Sequence, residues 1–392
     1  MRRAAAPLTI LLLVLCLTGC PPAAPGGDRA PEAVRPAVRI DPQPGSERAP
    51  TGRGLTVQAS AGTLTGVAVY AGDTPVPGRF DSTRTVWRSE RPLDPGRHYS
   101  VSATATGADG TSASAAGRFR TLTPKQTFQI ASVTPEPGET VGVGMPIIVD
   151  FDVPVREKAA VEQALEVRAA TPVEGAWRWA GDTRVIYRPR HHWPVGAQVG
   201  LTAHLSGVRA AKGVYGTADR AVRFTVGREQ ISTIDTETHQ MVVRRDGEIV
   251  QRMAISAGTA TTREYTTTSG YHLTMDKANP VRMVSPNRRE GDPGYYDVMI
   301  GHAVRISNSG EYVHAKDNVW AQGRMNVSHG CVNARPDQAE WFYDTSLRGD
   351  PVIIRGTDRE LEWDNGWGYW QLSWDDWRKG SALYSDLPAN LR

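Results

Sequence analysis

The feature that most limits the fold of this chain is a repeat whose two copies agree at both ends. Pro42-Gln43-Pro44-Gly45 returns as Pro135-Glu136-Pro137-Gly138, and Gly117-Arg118-Phe119-Arg120-Thr121 returns as Val222-Arg223-Phe224-Thr225. Each copy is about 90 to 105 residues long, poor in helical periodicity and filled with short alternating runs such as Val149-Asp150-Phe151-Asp152-Val153 between Gly and Pro. Period-two alternation buries one face of a strand and wets the other, and many such strands at close spacing build a β-sandwich. Two tandem sandwiches are therefore expected at 35–124 and 125–228.

These two units resemble bacterial immunoglobulin-like modules. From Gln230 the pattern changes. Met241 to Arg245 and Glu248 to Met253 flank Asp246-Gly247, a dipeptide suited to the positive φ of a tight hairpin turn, so a third β-rich domain is expected at 229–356. Its one notable helix is predicted from Pro336, with Asp337 and Glu340 at its positive end and Ala339, Phe342, Tyr343 and Leu347 on one face, before Gly349 ends it. The strand Pro351-Val352-Ile353-Ile354-Arg355 follows. Residues 357–392 form a subdomain carrying Trp363, Trp367, Trp370, Trp374 and Trp377, five of the eleven tryptophans. Such density reads as glue between the tail and the third domain in preference to a sugar-stacking surface. The fold class is thus mainly β, with two sandwiches ahead of a third β-rich domain.

Lys and Arg number 45 against 42 Asp and Glu, a balance without the basic footprint that nucleic-acid binding needs. Arg2 and Arg3 precede the apolar run Leu8 to Leu17, which is too short to span a bilayer and reads as an export signal over 1–19. Leu17-Thr18-Gly19-Cys20 resembles the lipobox of bacterial lipoproteins. That resemblance implies lipidation of Cys20, an anchor in the outer face of the cell membrane and an extracytoplasmic location in the wall zone. The Pro/Ala/Gly-rich segment 20–34 reads as a tether.

With Cys16 in the signal and Cys20 at its end, Cys331 stands alone in the folded body, so no internal disulfide is available there. A lone cysteine with histidines elsewhere is a candidate nucleophile, and its thiol needs an imidazole to take the proton. His329 and His314 are the two available, and His314 is the better base if a loop folds back. Gly330 lets backbone amides approach an oxyanion. His191-His192 lacks the acidic or cysteine partners of a zinc set, so no metal is assigned, and His272 and His302 receive no role.

Ser328-His329-Gly330-Cys331-Val332-Asn333, with Tyr312-Val313-His314 upstream, resembles the signature of L,D-transpeptidases with a YkuD-type catalytic domain. The similarity extends over lipobox, tether, paired modules, catalytic domain and Trp-rich tail, as in the actinobacterial type. It implies Cys331 as nucleophile, His314 as base, and the Ala315 carbonyl as the third member of the triad, at a place where Ser is common. It implies backbone amides of His329, Gly330 and Cys331 for the oxyanion, with Ser328 and Asn333 shaping the site and contacting substrate. His329 reads equally as a structural histidine that orients the loop.

Tyr295 or Tyr296 matches a lid tyrosine near the oxyanion, Met275-Asp276 resembles the start of the lid, and Gly310 the glycine before the catalytic histidine. A tryptophan found after the base in some relatives is replaced, with Asn318 nearest and Trp320 two further on. No cofactor is implied. The implied reaction is 3→3 cross-linking of peptidoglycan in cell wall biogenesis and cell shape. The partners are a donor tetrapeptide stem, which loses D-Ala, and a diamino-acid acceptor stem, with carbapenem-type β-lactams as covalent inhibitors. Water as acceptor makes the same site an L,D-carboxypeptidase, another acceptor makes it a wall-anchoring transferase, and a broken site would leave a wall-binding stalk.

Overall fold

The computed structural model describes residues 35–286 and 288–386. The export segment, Cys20 and the tether lie outside the described residues. Strands dominate, and Pro336–Thr345 is the longest helix among the described residues. No described helix is long and apolar enough to cross a membrane.

The first sandwich faces the sheet Ala37–Asp41, Thr56–Ser60, Val86–Ser89 and Gly78–Phe80 against Thr74–Pro75, Thr63–Ala71, His98–Thr106 and Ser112–Arg120. Along His98–Thr106 the alternating Tyr99, Val101, Ala103 and Ala105 are buried around Leu55, Leu64 and Trp87. The second sandwich faces Ile130–Thr134, Ile147–Phe151, Arg184–Pro189 and Gly175–Trp179 against Thr140–Val141, Arg220–Val226, Gln198–Ala203 and Leu165–Ala169.

The shared landmarks meet in space. Gly45, at φ +87°, donates its amide to Arg118 O at 2.7 Å, and Gly138, at φ +80°, donates to Arg223 O at 2.8 Å. In each sandwich the Pro-Gly turn thus docks on the strand whose Phe119 or Phe224 enters the core. The positive φ keeps both turn positions suited to glycine.

The third domain is a mixed nine-stranded sheet. Its spatial order is Gly270–Leu273, Pro351–Arg355, Gln230–Asp235, Gln240–Arg245, Glu248–Ser256, Val332–Ala334, Tyr312–Ala315, Ala303–Arg305 and Lys277–Ala278. Asp246 (φ 50°) and Gly247 (φ 85°) make the expected hairpin turn. Helix Pro336–Thr345 buries Ala339 and Phe342 against this sheet. It stops at Thr345, so Leu347 lies beyond it and Gly349 sits in the following loop. The physical reason is Asp350, whose carboxylate takes the Leu347 amide at 2.9 Å and two Arg228 donors, drawing the chain out of helical register.

The tail corrects the sequence reading in its main partner. Trp377 donates from Nε1 to Ala176 O at 2.9 Å and Trp370 to Gly144 O at 3.0 Å, both in the second sandwich. Arg188 lies 4.7, 5.4 and 4.9 Å from the ring centroids of Trp370, Trp374 and Trp377. Burial is the first cause that lowers its pKa, to about 10, and the three ring faces supply attraction there. Gln371 accepts the Tyr271 amide from the catalytic sheet. The tail therefore cements the second sandwich to the catalytic domain.

Candidate active site

The catalytic strands settle which side chains can meet. Tyr312–Ala315 pairs in parallel with Val332–Ala334, with Val313 opposite Val332, His314 opposite Asn333 and Ala315 opposite Ala334. Val313, Val332 and Ala334 are buried in the domain core. Side chains alternate along a strand, so His314 and Asn333 emerge on the opposite face. Cys331 stands in the bend just before this strand, so the parallel pairing brings the segment of the thiol alongside that of His314 across 17 positions of sequence.

His314 is 4% exposed and donates from Nδ1 to Ala315 O at 2.9 Å. That bond fixes the tautomer and leaves Nε2 as the basic nitrogen. Burial lowers the His314 pKa to about 4, assisted by Lys316 and opposed by the Ala315 bond. The Cys331 thiol donates to Gly310 O at 3.5 Å and accepts the Tyr312 amide. Burial pushes its pKa up to about 12, with Glu311 adding to the rise. Both shifts favour the neutral forms, a thiol and an imidazole, so the thiol must give up its proton as the sulfur attacks.

The turn before the cysteine is locked from within. Ser328 Oγ donates to Cys331 O and accepts the Gly330 amide at 3.1 Å. Thr267 Oγ1 donates to Gly330 O at 2.7 Å. Gly330 has φ +124°, a conformation that a side chain resists. This corrects one expected role: the Gly330 amide is spent on Ser328, which leaves the His329 and Cys331 amides for an oxyanion.

The lid resolves the tyrosine pair. Tyr296 stacks on His329 with centroids 5.4 Å apart and planes 13° from parallel. Burial raises its pKa, and the neighbouring Cys331 adds to the rise. Tyr295 is not brought to the thiol; it follows a turn in which its amide bonds Asp292 O at 3.0 Å. Met275 also departs from its expected place. It is 6% exposed and belongs to the core shared by the second sandwich, Trp367 and Trp377, because the tail covers it. Asn318 accepts from Gln322 at 3.1 Å, and Trp320 is 63% exposed.

Three contributors escaped the sequence reading. Tyr265 packs tilted against His329, with ring centroids 4.4 Å apart. Arg288 makes a bidentate pair with Glu264 at 2.7 and 2.8 Å that ties the lid loop to the segment carrying Tyr265. Glu311 is buried beneath the cysteine. No motif marks the first two, since their partners lie in distant loops. A charged residue inside a strand run, Glu311 in Gly310-Glu311-Tyr312-Val313, was the available signal for the third. His192 bonds Tyr271 Oη and meets the Trp370 ring edge, so it belongs to the tail joint. A cavity of about 930 Å³ lies between the two sandwiches, lined by Arg53, Glu157 and His204, and contains none of these acyl-transfer groups.

The family model for the L,D-transpeptidase catalytic domain matches residues 229–354, and that for a bacterial Ig domain matches 46–209. L,D-transpeptidase 2 of Mycobacterium tuberculosis is 35% identical over 84% of this chain and 80% of its own length. The chain belongs to the L,D-transpeptidase family. Another such transpeptidase of M. tuberculosis, number 5, is 36% identical over 79% of this chain and 68% of its own length. Among solved structures, the L,D-transpeptidase LdtMt1 in complex with imipenem aligns at 30% identity with a TM-score of 0.50, covering 58% of this chain and 98% of that one. The chain thus spans more than two thirds of the length of both relatives.

Proposed function

We propose that this chain forms 3→3 peptidoglycan cross-links by cysteine acyl transfer. The observation that carries the reading is the His314–Cys331 arrangement: the parallel pairing of Tyr312–Ala315 with Val332–Ala334 brings the base alongside the segment that follows the thiol, and the Ala315 carbonyl holds the imidazole in the tautomer that can accept a proton. As Cys331 Sγ attacks the carbonyl of the third stem residue, its proton passes to His314 Nε2. The C–N bond to D-Ala then breaks, His314 returns the proton to the leaving amine, and a thioester remains. The side-chain amine of a second stem attacks the thioester carbonyl, gives a proton to His314 and expels the sulfur, which takes the proton back. The His329 and Cys331 amides and the Tyr296 hydroxyl would meet the oxyanion of both steps.

The reading extends to the cell surface. A lipid on Cys20 would anchor the chain to the outer face of the cell membrane, and the two sandwiches would lift the site towards the wall. Leu17-Thr18-Gly19-Cys20 and the Pro/Ala/Gly-rich tether support this placement. Carbapenem-type β-lactams are expected to acylate the same sulfur.

The test is incubation of the purified protein and its Cys331→Ala form with disaccharide tetrapeptide, read by mass spectrometry. A dimer lacking one D-Ala, from the native protein alone, is the expected product. Loss of D-Ala with water added and no dimer would replace the reading by the carboxypeptidase.

A further inference from the structure

Ahead of the strand Gly270–Leu273 run three consecutive threonines, Thr266, Thr267 and Thr268, which are 3%, 0% and 1% exposed. A buried hydroxyl needs a partner, and the acyl-transfer chemistry uses none of these three. Thr266 bonds within its own turn, to Thr262 O at 2.8 Å. Thr268 gives its amide and its hydroxyl to Glu311, each at 2.7 Å. Thr267 reaches the catalytic turn itself. Its Oγ1 accepts the Gly258 amide at 2.9 Å and donates to Gly330 O at 2.7 Å. A hydroxyl has one proton and an amide N–H can only donate, so that proton is committed to Gly330 O. The packing here is tight: a Cβ added to Gly258 would lie 3.1 Å from Gly330 Cα.

The Gly330 carbonyl and the Cys331 amide belong to one planar trans peptide, in which C=O and N–H point in opposite directions. Holding the oxygen therefore aims the N–H. Gly330, at φ +124°, has no side chain to limit rotation about its own bonds, so this plane takes its orientation from its hydrogen bonds. Ser328 fixes the peptides on either side, through the Gly330 amide and the Cys331 carbonyl. Neither of those bonds touches the peptide between them. We propose that Thr267 is a positioning residue for the oxyanion of acyl transfer: its hydroxyl sets the plane of the Gly330–Cys331 peptide and aims the Cys331 amide at the developing charge. A hydrogen bond at the carbonyl also polarises the peptide and makes its N–H a stronger donor. The tail holds Thr267 from behind. Thr357 Oγ1 donates to Thr267 O at 2.7 Å, and Arg359 Nη1 donates to Thr266 O at 3.0 Å. Thr267 does not touch the reacting atoms and acts through the peptide it holds.

The inference rests on the acyl-transfer reading for its kinetic arm, and a spectroscopic arm stands apart from it. In the purified protein labelled with nitrogen-15 at cysteine, the Cys331 amide signal is assigned by its loss in Cys331→Ala. Thr267→Val keeps the side-chain shape but removes the hydroxyl, and should move that signal to lower nitrogen shift, as loss of the bond at the preceding carbonyl requires. Thr267→Ala, which leaves no second methyl to crowd Gly258, should move it the same way, and Thr267→Ser should leave it near its native place. A signal unmoved in both hydroxyl-free variants would overturn the proposal. In the kinetic arm, Thr267→Val should slow acylation of Cys331 by imipenem about tenfold, with the whole protein still acylated at completion, which separates a slower step from lost folded protein. Thr267→Ser should recover most of the rate. A native rate in Thr267→Val, or a Thr267→Ser variant as slow as Thr267→Val, would reject the positioning role. Failure of the native protein to react with imipenem would count against the acyl-transfer reading and leave the amide signal to decide Thr267.

Discussion

The pH dependence of Cys331 acylation follows directly from the burial of its base. An ordinary histidine titrates near 6.5, so at pH 5 only about one-thirtieth of it is neutral and able to accept a proton. His314, with its pKa lowered to about 4 by burial, stays about nine-tenths neutral at pH 5. The thiol, pushed up to about 12, adds no ionisation of its own across the neutral range. The rate of acylation by imipenem should therefore be nearly flat from pH 5 to 9 and fall by half only near pH 4. Stopped-flow mixing with mass-spectrometric quantification of the adduct measures it. An acid limb with its midpoint at 6 to 7 would refute a buried neutral base, and a steep alkaline rise through 8 to 9 would refute the raised thiol pKa.

Three further outcomes are expected. Protonating His314 is unfavourable in the folded state, so the unfolded chain binds more protons between its ordinary pKa and about 4, and stability drops as pH falls through that window. The loss is roughly 3 kcal/mol by pH 4, and urea titrations should show His314→Gln losing less over the same interval than the native protein. Ser328→Ala removes the donor to Cys331 O and the acceptor of the Gly330 amide. It should slow acylation by about tenfold at a stability cost of about 1 to 2 kcal/mol, read by imipenem kinetics and thermal melts. Trp377→Ala empties a fully buried site between the second sandwich and the tail. It should cost about 3 to 5 kcal/mol in denaturant titrations, with acylation at low temperature changed less than twofold.

Most of the architecture was legible because the repeat and the hairpin dipeptide are local signals. Gly45 and Arg118 are informative in the sequence because they bond to each other in the fold, and Gly138 and Arg223 of the second copy repeat the contact. The nucleophile and base were legible through the motif, but their geometry was not. It comes from a parallel pairing between segments on either side of a long loop, and no local pattern encodes a parallel register. Met275 misled for a related reason: its place under the tail depends on Trp367 and Gly366, almost a hundred residues later. The tail's tryptophans announced docking, yet their partner was set by Arg178 and Arg188 in the second sandwich, cations that look like ordinary surface charges in the sequence. The Gly330 amide was assigned by motif, while its use depends on where Ser328 Oγ points.

The central claim is that a single thiol, served by His314, carries the acyl group. Intact-protein mass spectrometry after brief exposure to disaccharide tetrapeptide, followed by peptide mapping, tests it most directly. The account predicts a thioester adduct on Cys331 in the native protein, none in Cys331→Ala, and much slower formation in His314→Gln. An adduct on another residue, or one that forms at the native rate without His314, would contradict it.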